Sequence, residues 1–216
     1  MGKHPGALGL PVAWGSGTVH TRIRIATRED AAAVLAIYAP FVRETGVSFE
    51  YEPPSVDQMR ARIVDSLVER PWLVCERGDQ VLGYAYATHH RSRIAYQWTV
   101  ETSVYVSPSH HRCGVGRGLY HALLPILKLL GYWNALAGIT LPNAASVGLH
   151  ESLGFKPIGV YPAVGYKFGV WHDVGWWSLR LRDDAEPPRP LTAFSTCHGH
   201  ADMDAALSIG ARHVCA

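Results

Sequence analysis

"SHHRCGVGRG", residues 109–118, sets two histidines, two arginines and three alternate glycines (Gly114, Gly116, Gly118) between a β-favouring run and an apolar helical stripe. Upstream, "YQWTVETSVYV" (96–106) alternates Trp98, Val100, Thr102, Val104 and Val106 on one face with Thr99, Glu101, Ser103 and Tyr105 on the other, which is the period of a strand. Downstream, Leu119, Ala122, Leu123, Ile126, Leu127 and Leu130 recur at helical spacing, Gly131 supplies a C-cap, and Pro125 removes one backbone donor from the interior. A strand, a glycine turn and a helix start bring unpaired N–H groups to one point, a geometry that holds an anion. Glycine lets the ligand approach the backbone without meeting a Cβ. A Walker loop requires Gly-Lys-Ser/Thr, whereas Gly116 is followed by Arg117-Gly118. A dinucleotide fingerprint requires G-x-G-x-x-G and an acid about 20 residues on; the spacing here is G-x-G-x-G and the acid is missing.

The chain has 216 residues, 48% of them apolar, enough for one well-buried core but not for two. Net charge is +2 with 18% charged residues, so no broad basic face tracks a nucleic-acid backbone, and anion binding is expected to be local. Cys75, Cys113, Cys197 and Cys215 lie far apart, the pattern of reduced thiols in a cytoplasmic protein. No apolar run approaches the roughly 18 residues of a membrane span. Residues 1–21 are expected to be a flexible extension and 22–182 the domain. A mobile, Pro-rich tail is expected over 183–216, opening on "AEPPRP" (185–190). Within that tail Cys197, His198, His200, His213 and Cys215 match no familiar zinc spacing, and no metal is expected.

The other elements follow from local chemistry. "IRIAT" (23–27) reads as a strand, and Thr27 with Asp30 caps a helix that is expected to end near Pro40. Ser55 and Gln58 form a capping box for a second helix, which Pro71 stops. "WLVCE" and "VLGYAYA" form a hairpin across "RGDQ", "ALAGIT" is a strand, Asn143 and Gly154 bound a short helix, and "DVGWWSLRL" is a last strand. The fold class is therefore α/β (α+β), with a mixed sheet flanked by helices.

A third anion loop, the coenzyme A pyrophosphate loop of the GNAT acetyltransferases, has the signature R/Q-x-x-G-x-G/A. That signature falls on His111-Arg112-Cys113-Gly114-Val115-Gly116, with His111 where Arg or Gln is usual. "AYQWTVETSVYVSP" (95–108), "LPNAASVGLHESLGF" (141–155), "KFGVWHDVGWW" (167–177), "RPWLV" (70–74) and "SFEYEPP" (48–54) closely resemble the phosphinothricin N-acetyltransferases. This GNAT branch includes the methionine sulfoximine and methionine sulfone acetyltransferases, and the likeness runs from about Ile23 to Leu181.

The resemblance implies a mostly antiparallel GNAT sheet, acetyl-CoA as co-substrate, and a small amino-acid analogue as acceptor. It assigns the cofactor to Val104, Tyr105 and Val106 of the central strand, to His111, Arg112, Cys113, Gly114, Val115, Gly116, Arg117 and Gly118 of the loop, and to Asn143. Glu101 is then the base for an ammonium substrate. His150 is an acid for the departing thiolate or an aid to that base. Arg91 and Arg93 would read an acidic group, with Tyr96 as a donor and Phe49 as a wall. "GVWHDVGWW" (169–177) invites a His172–Asp173 dyad but reads as structural, and its aromatic residues favour a homodimer. The sequence leaves open other acceptors (a peptide N-terminus, a polyamine, an antibiotic amine) and a silent acyl-CoA sensor.

Overall fold

A computed structural model describes residues 20–183, 187–197 and 199–215, so most of the expected N-terminal extension, and His198, lie outside the described residues. Seven strands form one sheet: β1 (Thr21–Ile25), β2 (Trp72–Arg77), β3 (Gln80–His89), β4 (Thr99–Val106), β5 (Asn134–Leu141), β6 (Lys156–Lys167) and β7 (Val170–Arg180). They lie in the order β1-β2-β3-β4-β5-β7-β6, and every neighbouring pair is antiparallel except β4 with β5. The expected mixed, mostly antiparallel sheet is thus present.

Strand alternation sends successive residues to opposite faces, and each face meets its own helices. On one face Trp72, Val74 and Tyr84 pack under α1 (Ala31–Glu44) and α2 (Val56–Glu69), which contribute Val34, Ile37, Val42, Met59 and Ile63. On the other, Leu73, Cys75, Leu82 and Ala85 meet Leu119, Leu123, Ile126 and Leu127 of α3 (Val115–Leu129), the stripe read from the sequence. The Ser55–Gln58 box closes in both directions: Gln58 N–H donates to Ser55 Oγ at 3.1 Å and Ser55 N–H to Gln58 Oε1 at 2.7 Å. Arg24 ties β1 to the first helix entry through Asp30 at 2.7 Å, and its Nε donates to Glu76 at 2.7 Å. Both carboxyls are held below their ordinary pKa by Arg24, against an opposing cost of burial.

Three expectations are corrected. Helix α1 does not end near Pro40 but continues to Glu44, because the extra turn buries Val42 and lets Thr45 Oγ1 donate to Phe41 O at 2.7 Å. A long strand, β6, which the sequence did not mark, occupies 156–167; bulges at Pro157/Gly159 and Tyr161/Gly165 absorb its prolines and glycines. The described part of the tail is folded and packed on the domain. Phe194 is fully buried, and α5 (Ala201–Ala211) packs Met203 and Ala206 into the α3 core.

The tail comes to the glycine loop itself. A Cβ at Gly114, whose φ is +77°, would stand 2.0 Å from His213 O, and one at Gly118 would stand 2.7 Å from Gly210 O. Cys215 N–H donates to Cys113 O at 2.9 Å, and His213 stacks on His121 at 3.8 Å. Two of the three alternate glycines therefore have a packing reason in addition to any ligand.

Candidate active site

Strands β4 and β5 pair only over Thr99↔Asn134, Val100↔Ala135 and Glu101↔Leu136. Beyond that point β4 stays bonded to β3 as far as Val106↔Gly83, and β5 to β7 as far as Leu141↔Asp173, so the two central strands part. The wedge between them is a slot lined by Val47, Thr102–Tyr105, Ala137–Thr140, Asn143, Ser146 and His150. The β4 backbone along this slot keeps N–H and C=O groups that no strand on the β5 side uses. Such an edge can pair with an extended ligand arm.

At the slot's end lies the loop. The first bond of α3 in the ladder runs from Gly118 N–H to Gly114 O, so the N–H groups of Val115, Gly116 and Arg117 precede it. Arg112, at φ +60°, and Arg117 are both exposed beside them. His111, also exposed, is bonded instead to the strand, its Nε2 donating to Val106 O at 3.1 Å, so in the neutral ring its hydrogen serves the end of β4. Free N–H groups, two guanidiniums and an unpaired strand edge suit the diphosphate and amide-bearing arm of a coenzyme A thioester.

Glu101 and His150 stand on opposite faces of β4. Glu101 shares the α1/α2 face with Ser103 and Tyr105; its carboxylate is 32% exposed and accepts from His90 Nδ1 at 2.8 Å. His90 in turn meets Tyr96 edge-on at 5.6 Å and Trp176 at 6.2 Å. His90, given no task in the sequence, is thus the nearest neighbour of the candidate base. Arg91 and Arg93 follow it on an exposed turn.

On the other face, His150 sits in α4 (Ala144–Ser152), 3% exposed. The Asn143 side chain caps this helix, its Oδ1 accepting from Ser146 N–H at 3.0 Å. His150 Nδ1 lies 2.7 Å from Ser146 O, a carbonyl that can only accept, so this nitrogen carries a hydrogen. Nε2 lies 2.8 Å from the Tyr120 hydroxyl, which is also 3.2 Å from Thr102 Oγ1. Burial lowers the His150 pKa, with the Ser146 bond opposing, and raises that of Tyr120. The neutral ring with Nδ1–H leaves Nε2 as an acceptor, and the single Tyr120 hydroxyl hydrogen is shared between it and Thr102 Oγ1, whose own hydrogen goes to Leu136 O at 3.2 Å. His150 cannot assist Glu101 directly, because the strand separates them. Tyr120 and Thr102, which sequence reasoning missed as polar partners, extend the chain from His150 to the slot wall.

This burial has a pH consequence. The unfolded chain takes up a proton at His150 as pH falls through about 6.5. The native state resists until its depressed pKa, so stability is lost as pH drops below about 6.5. His121, lowered by burial and by His213 and Arg117, acts with the same sign. Urea unfolding between about pH 7 and pH 5 is expected to show a falling midpoint, and His150→Phe to show a shallower fall. An unchanged slope in that variant would remove His150 from the account.

The roof over the slot is held by a lysine. Lys167, 1% exposed, donates from Nζ to Val42 O at 2.6 Å, Ser48 O at 2.7 Å and Thr45 O at 3.0 Å, gathering the carbonyls at the end of α1. The segment it fixes carries Val47 into the slot and Phe49 against β6, where a Cβ at Gly165 would stand 2.2 Å from the Phe49 ring. His172 and Asp173 form no dyad: His172 Nε2 bonds Lys167 O at 3.2 Å and Asp173 Oδ1 accepts from Ala163 N–H at 2.7 Å.

A central sheet parted beside a glycine-rich helix start is the architecture of an acyl-thioester transferase. Residues 23–176 match the family model described as an acetyltransferase (GNAT) domain. The chain is 43% identical over 169 residues to phosphinothricin N-acetyltransferase of Streptomyces viridochromogenes, covering 78% of this chain and 92% of that one. It is 38% identical to an L-methionine sulfoximine/L-methionine sulfone acetyltransferase of Salmonella typhimurium, over 76% of this chain and 97% of the relative. It also matches the crystal structure of a GNAT superfamily phosphinothricin acetyltransferase from Sinorhizobium meliloti in complex with acetyl-CoA, at 32% identity and a TM-score of 0.73, over 81% and 98% of the two chains. The chain belongs to the GNAT acetyltransferase family, and it is an acetyl-CoA-dependent N-acetyltransferase.

Proposed function

We propose that the enzyme acetylates the α-amine of a small amino acid whose side chain ends in oxygen, of the kind represented by phosphinothricin, methionine sulfoximine and methionine sulfone. The observation that carries this reading is the Glu101–His90 pair on the face of β4 opposite His150, beside the point where β4 and β5 part. Acetyl-CoA supplies the activated acyl group when bound. The loop from His111 to Gly118, with Asn143, holds it; the β4 edge over Val104–Val106 aligns its arm, and the Val104 N–H donates to the acyl oxygen. An amino-acid amine arrives mostly as ammonium and must lose a proton before it can attack. His90 donates to one oxygen of Glu101, leaving the other for that proton, directly or through one water. The His150–Tyr120 pair stands on the far side of the strand, where a proton is needed by a departing thiolate. Arg91, Arg93 and Tyr96 receive the substrate's α-carboxylate, and Phe49 closes the pocket.

A second copy of the chain fits the long β6–β7 hairpin, where Val160, Val164, Tyr166, Phe168 and Trp171 are each at least half exposed. Sedimentation equilibrium giving only the monomer mass would remove the dimer. The acceptor class is tested by thiol release from acetyl-CoA with methionine sulfone, phosphinothricin, spermidine and a peptide with a free N-terminus. The amino-acid analogues are expected to be the better substrates. Turnover on the peptide or polyamine alone would overturn the reading.

A further inference from the structure

A second cavity among the described residues is larger than the slot. It has a volume of about 430 Å³ and lies between α2 and the β2–β3 hairpin, walled by Tyr38, Ser66, Arg70, Trp72, Tyr86 and Thr88 among others. Its size suits a small organic ligand. Trp72 stacks on Tyr86 at 4.2 Å and on Tyr84 at 5.8 Å, so the wall is rigid and aromatic. Three polar groups at this wall are buried without a hydrogen-bond partner: Ser66 Oγ, Arg70 Nε and Trp72 Nε1. All three can donate, and the two nitrogens can do nothing else. Arg70 is fixed from its other side, where Nη1 donates to Glu69 Oε2 at 2.7 Å. Arg62 and Asp65, also on the lining, are exposed at the rim, and Arg62 is paired with Glu50 at 2.7 Å. The interior is therefore donor-rich, and its unmet need is an oxygen acceptor.

The cavity opens beside the candidate base. Thr88, on its wall, pairs with Glu101 across β3 and β4, and Tyr86 pairs with Ser103, a residue of the slot. Directly opposed residues project to the same face, so the Thr88 edge lies one strand spacing, about 5 Å, from Glu101.

We propose that this cavity is the specificity pocket for the far end of the acceptor. Ser66, Arg70 and Trp72 donate there to the oxygens of a side-chain phosphinate, sulfone or carboxylate while the α-amine lies at Glu101. The proposal rests on the amino-acid reading given above and adds where the side chain goes. It leaves Arg91 and Arg93 to the α-carboxylate.

The test compares methionine sulfone, phosphinothricin and norleucine, the last similar in length and without side-chain oxygen. Trp72→Phe removes one donor and keeps a ring for the stack. The KM of each oxygen-bearing acceptor, relative to that of norleucine, is expected to rise about tenfold in this variant, as befits loss of a buried hydrogen bond. Ser66→Ala, a smaller change than at the buried Trp72, is expected to move the ratio in the same direction. An unchanged ratio in both variants overturns the pocket and leaves the amino-acid reading standing. Should the wild-type enzyme acetylate none of the three, that reading fails by itself. The pocket is then read by calorimetry with the phosphinothricin analogue that lacks the amine. Heat in the wild type that Trp72→Phe diminishes sustains the pocket, and absence of heat in the wild type overturns it.

Discussion

Glu101→Gln is expected to lower kcat with methionine sulfone by about 10²–10⁴-fold, the usual contribution of a positioned general base. The substitution keeps the shape of the side chain, and its amide oxygen still accepts from His90, so the pocket geometry persists while proton-accepting power is lost. Acetyl-CoA binding is expected to be unaffected, because the loop and the free β4 edge lie beyond the Glu101↔Leu136 pairing. The loss should be most severe at low pH and shrink as pH rises, since bulk hydroxide and the falling ammonium fraction take over the task of the missing carboxylate. A variant with wild-type kcat at neutral pH would leave Glu101 as a strand residue paired to His90 and nothing more.

Phe194→Ala is expected to cost about 3–5 kcal/mol of unfolding free energy, the range for truncating a fully buried phenylalanine. Phe194 lies in the same core as Leu119, Leu123 and Ile126 of α3, so the loss reaches the helix that begins at the glycine loop. The variant should also loosen the contact of His213 and Cys215 with Gly114 and Cys113. Urea denaturation reads the first effect and amide exchange at Cys215 the second. A midpoint within error of the wild type would show that the tail packs on the domain without supporting it.

The parts of this molecule that the sequence made legible are those in which local chemistry and tertiary environment agree. Ser55 and Gln58 cap α2 because the motif is self-contained within four residues. The α3 stripe faces the core because its apolar period matches the helix, and Pro125 is accommodated inside it. Glu101 was placed in a central strand by alternation alone, and Asn143 at a helix start by its side chain. The rest depends on contacts distant in the chain. β6 hides behind Pro157, Gly159, Pro162 and Gly165, which read as loop until its partner β7 supplies the bulged register. Helix α5 docks through small residues, Gly210 against Gly118 and Ala122, and so shows little apolar signal. His90 reaches Glu101 from a turn eleven residues earlier in the chain, and no spacing rule selects it over His89. Lys167 reads as a surface lysine until three carbonyls from another element surround it.

The central claim is that an amino-acid amine at Glu101 drives acyl transfer through the gap between β4 and β5. Its most direct measurement follows coenzyme A thiol release and the appearance of the N-acetyl group together, with purified protein, acetyl-CoA and methionine sulfone. The account predicts thiol released one for one with acetylation at the α-nitrogen and absent without the amino acid. Thiol release at the same slow rate whether or not the amino acid is present would contradict it.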